Sequence, residues 1–386
     1  MHPLPYNFFM KAIGLMSGTS ADGLDVACIS VDHKDHIKLL AFKTYPYPKT
    51  LQKKILKVHH ARLSDVALLN FEIAYFFSDC IKRFLKKNRL KPRDMSCIGS
   101  HGQTVFHKTS GPKKEWTTLQ IGEGSVIAAL TGITTVTDFR PKDMALGGEG
   151  APLSPYFHYS FFKNATNLAV HNLGGMSNVT FLLNKGNPRE ILAFDTGPAN
   201  CVLDGAMRIF SKGLKNFDKD GKLAASGKIH ERLVQKLLKH PYFKKKPPKS
   251  CGQEEFGPVF LKKVLRECRG LKKKDIMATL TAFVAQSIFL SYKKFMWSAA
   301  HKHKLKEIIF CGGGIHNKTL MNTIRKEFSD YKIKISFFDD YGVSSDAVEA
   351  CCFALMGLRC LQHKINHIPS ATGASRATIL GKIIYP

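Results

Sequence analysis

Residues 14–27 read GLMSGTSADGLDVA, and this stretch decides how the rest of the chain is read. An apolar strand, expected over 11–17, runs into a turn of small polar residues. A second apolar strand, expected over 24–31, leaves it. Asp22-Gly23 between two apolar runs is a strong hairpin signal. Ser17, Thr19 and Ser20 supply hydroxyls, and Gly18 and Gly23 leave backbone N–H groups unhindered. Such a turn can wrap a phosphate chain, because exposed N–H groups form an anion-binding concavity. Asp22 and Asp25 could then hold a hydrated Mg²⁺ on that phosphate, since magnesium takes one or two carboxylates and keeps its waters. An ordinary hairpin with a solvated tip is the alternative reading.

A second copy of the pattern decides between them. Leu168 to Phe181 reads LAVHNLGGMSNVTF: a strand, Gly174-Gly175, Met176-Ser177, and a return strand. Gly14-Leu15-Met16-Ser17 and Gly174-Gly175-Met176-Ser177 echo each other 160 positions apart. An internal repeat of this kind predicts a duplicated domain with a phosphate gripped between the halves.

The chain has 386 residues, 44% of them hydrophobic, which suits two packed domains. No apolar run approaches the roughly 18 residues of a membrane span, and no secretory leader or membrane association is expected. Residues 1–9 precede the first strand and are expected to be a tail. The ten cysteines show no C-x-x-C or paired Cys/His spacing. They read as reduced core residues of a cytoplasmic protein, and no zinc site is expected.

Lys and Arg number 58 against 30 Asp and Glu, a formal net charge of +28. That excess permits attraction of nucleic acid or of anionic small molecules. It is mostly lysine, spread over 82–91, 213–249, 271–274 and 302–306, and not interleaved with aromatics as a stacking platform would be. Neither a helix–turn–helix nor an RNA-recognition signature is present, so specific nucleic-acid binding is not expected. Faster capture of an anion such as ATP is the expected side effect.

Further strands are expected over 37–44, 95–99, 134–140, 167–173, 178–184, 190–194, 307–310 and 332–338. Long helices are expected from Ser64 or Asp65, over 275–301, and from Ser345 to about Gln362. The Lys-rich region 211–253 reads as surface loops and short helices. Strands in threes followed by helices, twice over, describe an actin/hexokinase-type arrangement better than a dinucleotide-binding sheet. The fold class is therefore α/β: two duplicated actin/hexokinase-type (ribonuclease H-like) domains with a ligand cleft expected between them, an ATP/sugar cleft by the family resemblance that the chain's motifs carry. The first domain is placed at 1–155. The second is placed at 156–386, its closing helix able to pack back on the first.

Neither a Walker A sequence nor a G-x-S-x-G elbow nor H-E-x-x-H occurs, which disfavours P-loop NTPases, α/β-hydrolases and zincins. Nine motifs stand in order along the chain: GLMSGTSADGLDVA, SHGQTVFH (100–107), LQIGEG (119–124), TDFRPKDMALGGEGAP (137–152), NLGGMSN (172–178), FDTGPANCVLD (194–204), PPKS (247–250), FCGGGIHN (310–317) and ATGAS (371–375). Together they resemble the anhydro-N-acetylmuramic acid kinase family from Ile13 to Pro386. The resemblance implies an ATP-dependent sugar kinase. Such an enzyme opens the 1,6-anhydro ring of anhydro-N-acetylmuramic acid with water and phosphorylates O6. The product, N-acetylmuramic acid 6-phosphate, belongs to cell-wall recycling. A homodimer is implied as well.

By the same resemblance Asp195 is the base that activates the water, its bland alternative being an N-cap for the helix starting near Ala199. Glu349 is implied to help orient that water, although Asp346-Ala347-Val348-Glu349 also has capping-box spacing. Arg140, with Asp138, could bind the sugar's lactyl carboxylate, or the two could form a structural pair. His101, Gln103, Thr104, Gln120 and Glu123 could line the sugar pocket. ATP is expected against the first hairpin (Gly18, Thr19, Ser20, Ala21, Asp22, Gly23, Leu24, Asp25) and the second (Gly174, Gly175, Ser177, Asn178). Gly312, Gly313, Gly314 and Asn317 resemble an adenosine-binding element. Mg²⁺ is expected on Asp22, through water. The family pattern is broken at Cys251 and Gln253, where relatives carry Thr and Arg. The competing readings are a kinase of the same fold acting on another sugar, an actin/Hsp70-like nucleotide switch, and a basic nucleic-acid binder.

Overall fold

The computed structural model describes residues 9–18, 20–183, 187–297 and 305–386. The chain divides into two compact units. One runs to Lys163 and resumes over Tyr341–Pro386; the other is Asn164–Asp340.

In the first unit β1 (Met10–Ser17), β2 (Gly23–Val31) and β3 (Ile37–Pro46) form an antiparallel meander. Their period-2 patterns and tight turns dictate this locally. β4 (Cys97–Lys108) then lies parallel to β1, and β6 (Thr135–Thr137) parallel to β4. β5 (Thr117–Ile121) pairs antiparallel with β4 and β12 (Lys382–Ile384) with β6. SHGQTVFH is therefore the body of a long strand, not the loop after a short one. The 134–140 segment is strand only through Thr137; a helix, Phe139–Ala145, takes over.

One face of this sheet packs against the helix Leu63–Lys87, whose Ile73, Phe77, Ile81 and Phe84 are buried at helical spacing. The helix Val348–Leu361 lies against β1, β2 and β4. A Cβ on Gly14 would stand 1.8 Å from the Ala350 carbonyl oxygen, and one on Gly99 1.9 Å from that of Phe353. Only glycine at these two positions lets helix and sheet backbones meet so closely. This is why 341–386, with the closing helix able to pack back on the first domain, belongs with the first sheet; the other boundary of the unit falls at Lys163 and not at 155.

The second unit repeats the plan. β7 (Leu168–Leu173), β8 (Met176–Leu182) and β9 (Leu192–Pro198) are antiparallel; β10 (Glu307–Cys311) runs parallel to β7 and β11 (Lys334–Phe337) to β10. The second sheet runs third, second, first, fourth, fifth strand, the ribonuclease H-like order; the first follows the same plan as β3-β2-β1-β4-β6, with β12 beyond β6 and β5 paired on β4 off this path. The helix Lys273–Ser291 is buried almost all round. The span Lys273–Met296 is long and apolar enough to cross a membrane, yet 78% of that window is buried inside the fold, as in a core helix.

The 240–256 stretch carries short helices and exposed lysines as expected, but it is not surface throughout. Tyr242, Phe243 and Phe256 are fully buried and join the core around β9. Their lysine neighbours mask them in the sequence. All ten cysteines are unpaired thiols, eight of them buried.

Candidate active site

The first hairpin turn is fixed from behind. Ser17 is buried; its one hydroxyl proton has the Gln103 Oε1 (2.6 Å) and the Gly23 carbonyl (3.0 Å) as acceptors within reach, and its oxygen lies 2.9 Å from the Tyr47 hydroxyl. Gln103 Nε2 donates to the carbonyls of Gly18 (3.1 Å) and Thr104 (3.2 Å). Gln103 is thus a brace for the turn, its amide fully used. Ala21 takes a positive φ of 52° and is buried with Leu24. A Cβ on Gly23 would meet the Tyr45 carbonyl at 2.3 Å. Ser20 and Asp22 are exposed at the tip, and Thr19 lies outside the described residues.

Asp25, half-buried on β2, accepts from Thr44 Oγ1 at 2.5 Å. Burial pushes its carboxyl up to about 6; the Thr44 bond opposes this, and the charges of Asp346 and Asp22 add to it. Oxygen donors of this kind suit a hydrated Mg²⁺, which takes one or two carboxylates and keeps its waters; no group of three or more His, Cys, Asp or Glu side chains among the described residues forms a fuller metal cage.

Glu349 sits in the first turn of the helix Val348–Leu361, whose N-cap is Ala347 with no side-chain bond, so no capping box forms. Its side chain reaches solvent while protein crowds it densely; that desolvation, then Asp25, raises its carboxyl against the pull of Arg140. One helical turn on, Phe353 packs on His101, ring centroids 4.7 Å apart. Arg140 Nε and Nη2 both point at His101 Nε2, at 3.0 and 2.9 Å. His101 Nδ1 donates to the Gly102 carbonyl at 2.9 Å. Burial, then the Arg140 charge, holds His101 well below the usual imidazole range, so it is neutral and Nε2 accepts. Burial also brings Arg140 down to about 10. Asp138 does not pair with Arg140; Lys382 Nζ lies 3.1 Å from Asp138 Oδ2.

A cavity of about 470 Å³ opens in this unit, walled among others by Asn70, His101, Gln120, Glu123, Asp138 and Lys382. Four of the sugar-pocket candidates thus converge. Gln103, Thr104 and Arg140 are not in its walls. Thr104 instead meets Gln120 Nε2 at 3.3 Å across β4 and β5. Glu123 is the N-cap of the helix Gly124–Thr131, accepting from the Ser125 amide, and that bond comes first among the causes that lower its carboxyl. Asn70, which no motif marked, holds the same loop: its Oδ1 accepts from the Gly122 amide at 2.7 Å and its Nδ2 donates to Glu123 at 3.2 Å.

In the second unit the Gly174 and Gly175 carbonyls accept from the amides of Asn200, Ala199 and Cys201. They therefore cap the helix Asn200–Phe210, a task Asp195 does not perform. Gly175 is exposed, with open space where a Cβ would be. The Ser177 hydroxyl points inward, 2.6 Å from His171 Nε2 and accepting from Thr196 Oγ1 at 2.7 Å. Asn178 faces Asp195 across β8 and β9, where a bulge follows Ser177.

Asp195 lies within β9, 9% exposed. Its amide donates to the Lys249 carbonyl (3.0 Å), its carbonyl accepts from the Tyr242 hydroxyl (2.6 Å), and its Oδ2 accepts from the Cys251 amide (2.9 Å). Lys249 lies in the PPKS motif and Cys251 at the break in the family pattern, but nothing in the sequence ties them or Tyr242 to Asp195, because hydrogen bonds across about fifty residues leave no periodic trace. Beyond β10, Gly312 has φ 82° and its Cβ would strike Asn172; Gly314 packs on Leu173; Gly313 is exposed with nothing within 4 Å. Asn317 caps the helix Lys318–Glu327, accepting from the Leu320 amide at 3.0 Å.

Two ribonuclease H-like sheets with a glycine turn at the head of each define the fold class: a duplicated α/β protein of the actin/hexokinase type. The profile of one family, anhydro-N-acetylmuramic acid kinase, matches residues 10–386. An anhydro-N-acetylmuramic acid kinase of Caldanaerobacter subterraneus subsp. tengcongensis is 40% identical over 385 residues, covering 96% of each chain. One of Francisella tularensis subsp. novicida is 39% identical, covering 98% of this chain and 99% of its own. One of Bacillus cereus is 35% identical over 389 residues, covering 98% and 100%. The chain belongs to the anhydro-N-acetylmuramic acid kinase family, ATP-using sugar kinases of peptidoglycan recycling.

Proposed function

We propose that this enzyme adds water across the 1,6-anhydro bridge of anhydro-N-acetylmuramic acid and transfers the γ-phosphoryl of ATP to O6. The products are N-acetylmuramic acid 6-phosphate and ADP. The observation that carries the residue-level reading is the clamp on Asp195, which fixes its peptide on both sides and its carboxylate through Cys251. A carboxylate so fixed can take a proton from water as the oxygen attacks the anomeric carbon. The C1–O6 bond breaks, its electron pair stays on O6, and O6 attacks the γ-phosphorus as ADP leaves. Glu349, whose carboxyl is raised by its surroundings, orients the water. Arg140, braced on neutral His101, takes the lactyl carboxylate. Asp138, Gln120, Glu123 and His101 wall the pocket for the rest of the sugar.

The two glycine hairpins take the phosphates, and the Gly312–Gly314 loop takes the adenosine, with Gly313 as its open face. Asp22 and Asp25 would hold a hydrated Mg²⁺, which supplies charge neutralisation on the phosphates. A cytoplasmic location is supported by the ten unpaired thiols. A homodimer is supported by exposed Leu68, Phe71 and Tyr75 along one face of the helix Leu63–Lys87; light scattering reads it directly.

The test is ADP release with and without the anhydro sugar, followed by mass analysis. A product gaining one water and one phosphate is expected. Sugar-independent ADP release would instead point to a nucleotide switch. Asp195→Asn should lose turnover by about 10³-fold or more while still binding ATP; near wild-type turnover would remove Asp195 from the role.

A further inference from the structure

Lys249 is 5% exposed, and its ammonium has no hydrogen-bond partner among the described residues. A buried cation without such a partner is costly unless something replaces water around it. Here ring faces do so: Nζ stands 4.4 Å from the centroid of Tyr242, 4.8 Å from that of Phe295 and 5.7 Å from that of Phe194. Each ring belongs to a different element. Phe194 precedes Asp195 on β9, Tyr242 lies in the short helix Pro241–Lys244, and Phe295 is in the turn that follows the helix Lys273–Ser291.

The backbone around this cage does specific work. The Lys249 carbonyl receives the Asp195 amide, and two residues on the Cys251 amide reaches the Asp195 carboxylate. The cage ring Tyr242 also donates its hydroxyl to the Asp195 carbonyl. Every hydrogen bond named above on Asp195 therefore comes from the segment that the lysine anchors or from the ring it rests on.

We propose that Lys249 is a positioning residue for Asp195: its ammonium, seated among Phe194, Tyr242 and Phe295, pins the 249–251 segment that clamps the catalytic carboxylate and keeps a positive charge beside it. This rests on Asp195 being the base. Burial lowers the lysine to about 8; Cys251 and Asp195 oppose that, and Lys294 and Lys245 reinforce it. Lys294 Nζ is held on the Phe243 carbonyl at 3.1 Å; Lys245 Nζ is held on Glu255 at 3.1 Å and also lies 5.5 Å from the Tyr242 ring centroid. Lys249 is therefore mostly cationic at neutral pH.

The test compares Lys249→Met, which keeps the straight chain and removes the charge, with Lys249→Arg, which keeps a cation that stacks on rings. Lys249→Met should lower kcat with the anhydro sugar by about 10²-fold, with KM for ATP unchanged. The acid limb of its pH profile should move up by about one unit, because Asp195 loses a neighbouring positive charge. Lys249→Arg should recover most of the rate. Phe295→Leu, which opens one side of the cage without touching Asp195, should lower kcat in the same direction, and it decides the matter should Lys249→Met fail to fold. Wild-type kcat and an unmoved acid limb in folded Lys249→Met, or wild-type kcat in Phe295→Leu, would overturn the proposal. Turnover retained by Asp195→Asn would instead overturn the reading beneath it.

Discussion

Asp25 is the residue at which the stability of the fold meets the proposed Mg²⁺ site. Its carboxyl is raised to about 6 in the fold, against 3.8 in the open chain. The folded state thus binds that proton more tightly, and this contribution is lost as pH climbs from 3.8 towards 6. Asp25→Asn should therefore melt no lower than wild type at pH 7, while needing more Mg²⁺ for turnover. In the wild type, the Mg²⁺ requirement should rise as pH falls from about 7 to about 5, as Asp25 takes up its proton; in Asp25→Asn that slope should flatten. A thermal melt and a Mg²⁺ titration at each pH check both statements. Arg140→Ala should raise KM for the carboxylate-bearing sugar more than for ATP, and the reverse ordering would dismiss the clamp. At this scale the sequence marks candidates where a motif carries them: Asp195 and Glu349 through the family resemblance, Arg140 through its place at a strand end. It is illegible where a residue acts through distant neighbours. Lys249 and Tyr242 sit in a run that reads as solvated lysines, and the Lys382 partner of Asp138 comes from the far end of the chain.

Elements were legible in proportion to how local their causes are. The hairpins around Gly23 and Gly174 follow from turn chemistry and alternation, and they stand close to where the pattern puts them. The start of the helix Val348–Leu361 invited a capping box that does not form, because its position is set by packing on β1 and β4 rather than by its own cap. Glycines make that packing testable. Gly99→Val would drive a side chain into the Phe353 carbonyl, and Gly14→Val into that of Ala350. Each should cost about 1–3 kcal/mol or more in urea unfolding. Gly313→Ala meets nothing within 4 Å and should leave stability within about 0.5 kcal/mol. If it raises KM for ATP all the same, the open face of the Gly312–Gly314 loop is a binding surface and not merely a helix entry.

The duplicated plan was visible at the scale of the whole molecule because each copy opens on its own glycine turn. The return of 341–386 to the first unit rests on backbone-to-backbone approaches that no period in the sequence encodes. The charge of +28 is another whole-molecule property, and it belongs to rates rather than to the fold. A field summed over many spread lysines attracts an anion over distances comparable with the screening length, about 10 Å at 0.1 M salt. ATP and the carboxylate-bearing sugar are both anions, so the excess should act on their capture and leave the bound chemistry alone. The expected signature is a fall of several-fold in kcat/KM for ATP between about 0.05 M and about 0.5 M KCl, while kcat at saturation stays within about twofold. Initial rates at limiting and saturating ATP separate the two. A flat kcat/KM would mean that the lysines do not steer substrate. A parallel loss of kcat would move the salt effect from encounter to the bound site, where the Arg140–Glu349 and Asp25–Asp346 charge pairs are the groups to examine.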